Sequence, residues 1–399
     1  MPKVLLLENP HAVADETFHK YGFDVQRISG SLSESDLIEA IQGYSIVGIR
    51  SKTTITKKVL DSAPDLCAIG TFCIGTNQVD LTSASEHGVA VFNAPYSNTR
   101  SVVEMVIAEL IMLTRHVPMH DKELRQHQWN KTSAGSHEVR GKTLGIIGYG
   151  SIGTQLSVVA EALGMNVIFY DIAERLAIGN ARRVKDLDEL LSQADVISLH
   201  IDGRASNAGF FSREMFEKMK PGSIFINLSR GSVFDVEALR EKLLDGSIIG
   251  AGVDVYPHEP LNNKEPFESP LLGIPNTILT PHIGGSTLEA QENIGEYVSG
   301  KLMAYFTTGS TEMSVNLPNI TVPSHSYTHR VAWIHHNTPG ALAKVNHLFS
   351  TAGINVTYQS LATQGELGYM ITDADTPISE SALEELAQSS AHIRYRVIK

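Results

Sequence analysis

At 399 residues, with 42% hydrophobic and 19% charged, the chain has ordinary globular composition and the length of two or three domains of about 150 residues each. No apolar run of about 18 residues is free of charge, Glu8 ends the apolar start, and Cys67 and Cys73 are the only cysteines, so a soluble protein of the reducing cytoplasm is expected. A formal charge of −12 disfavours nucleic acid and anionic membranes, so an anionic substrate would need a local basic pocket.

Residues 3–7 (Lys-Val-Leu-Leu-Leu) read as a buried strand, and Val25–Ile28, Ile46–Ile49, Ala68–Thr71 and Val89–Phe92 follow in the same style. Helical patterns intervene at Glu34–Gln42, Lys57–Ser62 and Leu81–Glu86, which indicates βαβ units and a parallel sheet. Thr99–Arg115 is a long helix, with Val102, Val103, Val106, Ile107, Leu110 and Leu113 at helical spacing. After a polar stretch, Lys142–Gly148 opens a second series. Its later strands lie near Val167–Tyr170, Val196–His200, Ser223–Asn227, Ile248–Val253 and Thr277–Leu279. Two consecutive series predict an α/β protein of two doubly wound parallel-sheet lobes with a cleft between them.

Helix Thr287–Tyr305 then returns the chain to the first lobe. Residues 307–324, with Gly309, Ser310, Pro318 and Pro323, read as a linker. The last 75 or so residues change pattern: strand Arg330–Ile334, helix Pro339–Ser350, strands Ile354–Leu361 and Leu367–Thr372, helix Glu380–Gln388 and strand His392–Ile398. That βαββαβ order is ferredoxin-like and marks a separate small domain.

Gly148-Tyr149-Gly150-Ser151-Ile152-Gly153 follows a strand directly and opens the helix Ser151–Gly164. Gly148 permits a tight turn, Gly150 lets backbone approach a pyrophosphate, and Gly153 permits close helix–strand packing. The N–H groups around Ser151 and Ile152 face the anion. Asp171 ends the next strand, about 20 residues on, where a carboxylate accepts ribose hydroxyls and repels a 2′-phosphate, favouring NAD over NADP. Asp254, after Ile248–Val253, is grouped with these cofactor residues.

Arg230, Glu259 and His282 stand just beyond three successive strands of the second lobe, where open α/β sheets hold their ligands. Oxidising a secondary alcohol needs a base for the hydroxyl proton, and a histidine beside a carboxylate supplies one. Arg230 offers a planar fork for a substrate carboxylate. Each has a bland alternative as a solvated surface group, and the reading rests on their joint placement. His116 and His120 are four apart, but Pro118 lies between them and no acidic partner is evident, so no metal site is expected.

On Gly148–Gly153, Asn227-Leu228-Ser229-Arg230-Gly231 and Pro281-His282-Ile283-Gly284-Gly285-Ser286, the chain resembles the D-isomer-specific 2-hydroxyacid dehydrogenases across residues 1–312 or so. Cys73–Asp80 and Phe92–Ser101 are similar to its shorter bacterial members that oxidise 3-phosphoglycerate with NAD at the first step of serine synthesis. The resemblance implies the roles above for Arg230, Glu259 and His282. It also implies that Arg50, Ser51, Gly75, Asn98 and Lys131 bind the substrate's carboxylate or phosphate end. Bottom-up, Arg50-Ser51-Lys52 after a strand is an anion-binding loop or a solvated basic loop; relatives often carry Arg where Lys52 stands. Trp129 is expected either to reach a neighbouring subunit's active site or to pack ordinarily.

The C-terminal pattern Ile334-His335-His336-Asn337-Thr338-Pro339-Gly340, then Gly353-Ile354-Asn355-Val356, resembles an ACT domain, a ligand-sensing module. It implies that L-serine binds His335, Asn337 and Asn355 as a feedback inhibitor, in a homotetramer. Asn337 is also expected to cap the helix that follows, with Pro339 in its first turn. The domains expected are 1–97 with 285–318 for substrate, 98–284 for NAD and 325–399 for regulation. The rival readings are another 2-hydroxyacid substrate, such as hydroxypyruvate, glyoxylate or 2-oxoglutarate, and a non-catalytic NAD- or amino-acid-sensing protein.

Overall fold

The computed structural model describes residues 2–260, 264–322 and 329–398. The chain falls into two units, Met1–Ser97 with Gln291–Lys399, and Asn98–Ala290. The first unit begins with β1 (Lys3–Leu7), α1 (Val13–Lys20), β2 (Asp24–Ile28), α2 (Glu34–Ala40), β3 (Ile46–Ile49), α3 (Lys57–Ser62), β4 (Ala68–Thr71), α4 (Leu81–Glu86) and β5 (Ala90–Phe92). These strands form a parallel sheet in the order β2-β1-β3-β4-β5. β3, β4 and β5 are buried at every residue, as strands covered on both faces must be. Helix starts are set locally: Ser33, Thr56 and Asp80 each accept a backbone N–H from the first turn of α2, α3 and α4.

The second unit holds α5 (Thr99–Thr114), α6 (Val117–Arg125), β6 (Thr143–Ile147), α7 (Ser151–Ala162), β7 (Asn166–Tyr170), β8 (Arg182–Arg183), α8 (Leu187–Gln193), β9 (Val196–Leu199), α9 (Arg213–Lys218), β10 (Ser223–Asn227), α10 (Val236–Leu244), β11 (Ile248–Val253) and β12 (Thr277–Leu279). Its parallel sheet runs β12-β11-β10-β9-β6-β7-β8. The order reverses at the β6–β9 neighbours, the switch point where ligands of such sheets lie. One face of α5, at Val102, Val106, Leu110 and Leu113, packs into a core with Leu144, Ile146 and Ile226. Glu109 occupies the same buried stripe, against Gly252 of β11.

The chain returns to the first unit along α11 (Leu288–Thr308), which runs three residues past its predicted end. The segment after it is not a loose linker. Thr311, Ser314, Asn316, Leu317 and Ile320 are buried, and the Asn316 side chain accepts from the Val91 N–H at 2.8 Å and donates to the Val89 carbonyl at 2.9 Å. Polar composition suggested solvent, but these side chains substitute for a paired strand at the β5 edge. The end of that predicted segment, from Pro323, and the residues 325–328 and 399 of the predicted regulatory domain lie outside the described residues.

β13 (His329–His336), α12 (Ala341–Thr351), β14 (Val356–Gln364), β15 (Leu367–Ala374), α13 (Glu380–Ala387) and β16 (His392–Ile398) make an antiparallel sheet in the order β14-β15-β13-β16. One sheet face packs on α12 and α13 through Val331, Trp333, Val345, Phe349 and Met370. The other, with Ala332, Ile334, Tyr369, Ile371 and Ile398, joins a single core with Phe92, Leu302 and Tyr305 of the lobe. Polar bonds seal that seam. The Tyr369 hydroxyl donates to the Gly309 carbonyl at 2.6 Å, Arg394 donates to the carbonyls of Pro64, Leu66 and His87, and Arg396 stacks over Tyr305 at 4.0 Å. The buried Arg330 forks Asp373 through bonds of 2.6 and 2.7 Å.

Candidate active site

In the dinucleotide turn, Gly148 sits at φ +93°, and a side chain there would strike the His200 carbonyl of the neighbouring strand end. Gly153 packs its bare Cα against the Gly148 carbonyl and the Ile146 side chain. Gly150, before the first turn of α7, has only open space where a Cβ would be. The first N–H groups of α7, from Ser151, Ile152 and Gly153, lack intrahelical acceptors and carry the positive helix end. Asp171, 9% exposed, accepts the Tyr149 N–H at 2.8 Å and the Ala173 N–H at 2.8 Å, while Arg175 lies 3.5 Å away. A carboxylate has about four acceptor sites, so two remain for hydroxyls. Gly150, the helix end and Asp171 thus fit a dinucleotide. Ile172 and Leu176, not singled out in the sequence, stand 80% and 85% exposed just beyond.

At the ends of the adjacent strands β10, β11 and β12 the catalytic candidates take shape. The His282 Nδ1 and the Glu259 Oε2 share a hydrogen bond of 2.8 Å, and the Tyr256 N–H holds the other oxygen of Glu259 at 3.1 Å. That bond raises the His282 pKa above its ordinary value, against burial. Burial pushes the Glu259 carboxyl up, but His282, the Tyr256 N–H and Arg230 outweigh it and hold it below the usual range. His282 itself is in the left-handed region at φ +55°, uncommon for a residue other than glycine although histidine visits it more often than most. Asp254, 1% exposed, accounts for it. Its carboxylate accepts the Thr280 hydroxyl at 2.6 Å and the N–H groups of Ile283 and Gly284 at 2.8 and 2.7 Å, clamping the loop on both sides of the histidine. Grouped with the cofactor residues in the sequence, Asp254 gives three of its about four acceptor positions to this loop.

Arg230 leaves β10 on a turn built by Asn227, whose carbonyl oxygen accepts from the Ser229 N–H at 2.9 Å and whose amide donates to the Arg230 carbonyl at 3.0 Å. The guanidinium donates to the Ser229 carbonyl at 2.7 Å, and its stem lies over Gly203. Asn98, before α5, packs its amide against Gly285 in the same loop region as His282. Lys131 and Trp129 stand exposed in the stretch after α6, Trp129 by 81%. His116 and His120 behave differently from each other: the first bonds to the Gly135 carbonyl, the second to Glu123 at 3.1 Å, an acidic partner missed in the sequence.

In the first unit, Arg50 and Ser51 follow β3, and Gly75 follows β4. Gln78, 6% exposed, ties them together by donating to the carbonyls of Arg50 at 2.6 Å and Gly75 at 3.2 Å. Glu8 accepts the N–H groups of Lys52 and Thr53. Gln78 lies within the Cys73–Asp80 segment that carries the resemblance, but nothing there marks it as a tie; Glu8 carries no motif signal, because a polar side chain that holds a loop looks like any surface residue.

In the C-terminal module His335 is 2% exposed, stacked on Trp333 with 4.3 Å between ring centres and fitted over Gly368. Asn337 does not cap α12. Its amide donates to the Gly365 carbonyl at 3.1 Å, and α12 starts only after Gly340, with no side-chain cap and with Pro339 outside it. The β14–β15 turn captures the asparagine first. Asn355 is not brought near it: His336 pairs with Leu367 and Val356 with Ala374, so the two asparagines flank opposite ends of β15, roughly 24 Å of strand apart.

The dinucleotide turn, the His–Glu pair and Arg230 at successive strand ends describe a nicotinamide-dependent hydroxyacid oxidoreductase, and comparison with known proteins agrees. The chain belongs to the D-isomer specific 2-hydroxyacid dehydrogenase family. The NAD binding domain of that family matches residues 107–284, and an AHAS small subunit-like ACT domain matches residues 331–390. The chain is 47% identical to a D-3-phosphoglycerate dehydrogenase of Haemophilus influenzae, over 99% of this chain and 97% of that one. It is 46% identical to a D-3-phosphoglycerate dehydrogenase of Escherichia coli, with the same coverage. A Thermus thermophilus crystal structure superposes with a TM-score of 0.68 at 30% identity, covering 76% of this chain and 96% of that one. Among the described residues no helix is long and apolar enough to cross a membrane.

Proposed function

We propose that this chain oxidises 3-phosphoglycerate to 3-phosphohydroxypyruvate with NAD, the first step of L-serine biosynthesis. The observation that carries the reading is the His282–Glu259 pair at the strand ends of a dinucleotide-binding sheet. Bound NAD supplies the hydride acceptor. Gly148, Gly150, Ser151, Ile152 and Gly153 hold its pyrophosphate, Asp171 its ribose, and Ile172 and Leu176 offer apolar surface to its base. Glu259 keeps the proton of neutral His282 on Nδ1, which leaves Nε2 free to take the substrate hydroxyl proton. The imidazolium that forms is stabilised by the same carboxylate. Arg230 binds the substrate carboxylate and polarises the neighbouring carbon–oxygen bond. Asp254 acts through the His282 loop. Arg50, Ser51, Gly75, Asn98 and Lys131 are assigned to the substrate's anionic groups.

Residues 1–97 with 285–318 serve the substrate, 98–284 the NAD, and 325–399 regulation. L-Serine is the effector assigned to His335, Asn337 and Asn355. Because the two asparagines flank opposite ends of β15, a serine touching both must lie between two copies of the chain. A homotetramer joined through these modules, with Trp129 against a neighbouring subunit, supplies such a site. The cytoplasm is its compartment, the reducing one that a chain with only two cysteines fits. The test is NADH consumption with 3-phosphohydroxypyruvate, with and without L-serine. Rapid turnover suppressed by serine is the expected result. Turnover indifferent to serine removes the effector assignment, and NADH binding without turnover removes the substrate assignment in favour of other 2-oxoacids.

A further inference from the structure

At the end of β1 the backbone turns through two successive non-glycine residues in the left-handed region, Glu8 at φ +64° and Asn9 at φ +51°. Asparagine tolerates this conformation; glutamate does so rarely. What holds Glu8 there is visible on both sides of it. Its N–H donates to the carbonyls of Ile28 and Gly30 at 3.1 and 3.3 Å. Its carboxylate reaches a loop 44 residues away, Oε2 accepting the Lys52 N–H at 3.1 Å and Oε1 the Thr53 N–H at 2.7 Å.

The rest of that loop is pinned from the other side. Gln78 holds the Arg50 carbonyl, and Ile55 exchanges backbone bonds with Gln78 and Asp80 at 2.8 and 2.9 Å. Thr53 is fully buried, while Ser51 and Lys52 are exposed and Arg50 is half-buried. The loop is therefore fixed along its backbone, with Ser51 and Lys52 presented outward and Arg50 half-buried beside them. The Glu8 carboxylate keeps its charge, but each of its oxygens is directed at a loop N–H.

We propose that Glu8 is a positioning residue of the anion-binding loop, setting the backbone at residues 52–53 so that Arg50 and Ser51 meet the substrate's anionic end. The inference rests on the proposed role of Arg50, and the test separates the two. Glu8→Gln keeps the shape but presents one acceptor oxygen in place of two, so one loop N–H loses its partner. Steady-state assays of the full chain with 3-phosphohydroxypyruvate and NADH are expected to show KM for the oxoacid raised by about tenfold, with kcat within about twofold. KM for NADH stays at its wild-type value. Arg50→Gln is the companion. If Arg50→Gln leaves the oxoacid KM unchanged, the loop is not the substrate site and the proposal falls with it. If Arg50→Gln raises KM and Glu8→Gln does not, the positioning role alone is overturned. Should Glu8→Gln fail to fold, Glu8→Asp, which keeps the charge on a shorter arm, is read the same way: raised KM at unchanged kcat supports the role, and unchanged KM refutes it.

Discussion

Glu109 should make the protein less stable as pH rises, and Glu109→Gln should remove that dependence. The residue is 3% exposed on the buried stripe of α5, and neither carboxyl oxygen has a hydrogen-bond partner among the described residues. Burial, with the nearby Asp254 adding to it, pushes its carboxyl from the usual 4.5 up to about 8. The folded chain keeps this proton between those two values while the unfolded chain releases it. The folded state then binds more protons, so stability is full below 4.5 and is lost as pH rises through 8. At about 1.4 kcal/mol per pH unit over about 3.5 units, the loss is bounded near 5 kcal/mol. Glutamine matches the neutral acid in shape and has no proton to lose. Melting temperatures at intervals from pH 5 to 8.5 should therefore coincide for the two proteins at the acid end and diverge toward the alkaline end. With about 2–4 °C per kcal/mol for a unit of this size, a lead of several degrees for the variant is expected at pH 8. Parallel curves, or a variant that is weaker at pH 8, would show that Glu109 is ionised or solvated and would refute the reasoning.

Other expectations concern the site. His282→Ala should lower turnover by about 10²–10⁴-fold while NADH binding, followed by fluorescence, persists; loss of both would mean the histidine is structural. Glu259 raises the pKa of His282, and oxidation needs the neutral imidazole, so the wild-type rate should fall below a pKa above 6.5. Glu259→Gln should move that acid limb to lower pH and cut kcat, by about 10²-fold; an unmoved limb counts against the pairing. Asp254→Asn should leave one of the two loop N–H groups poorly paired, at about 1–3 kcal/mol, and lower kcat more than it raises KM for NADH. Asp373→Ala should remove the carboxylate that forks the buried Arg330 and cost about 3–5 kcal/mol in urea unfolding.

Much of the fold was legible because its elements announce themselves locally. β3, β4, β10, β11 and β12 are short, largely apolar or β-branched runs, and β16 carries polar residues between its apolar ones; the ends of all six coincide with those read from the sequence. α1 escaped because only Ala14 and Phe18 of its eight residues are buried, and α6 because none of its residues is. The packing of residues 310–320 escaped for another reason: Asn316 and Thr311 are buried by hydrogen bonds, which polarity scales read as exposure. Glu109 is the same failure on a helix, a charged residue type in an apolar stripe. At the site, Glu259 is legible from its place just beyond a strand, and the glycine turn, Arg230 and His282 are written in contiguous motifs. Glu8 and Asp254 are not, since the groups they hold lie 44 and 26–30 residues away.

The shared core beneath the C-terminal sheet means that this module is not a portable cartridge. Excised, it would carry an oily underside of Ile334, Tyr369, Ile371 and Ile398 into water, and the lobe would lose the cover over Phe92 and Tyr305. A graft onto another scaffold would have to bring along the last turns of α11 and the β5 edge, or rebuild them. The same seam leaves no slack: a distortion of β13 or β15 presses directly on α11, so whatever strains the module is felt by the lobe as its own.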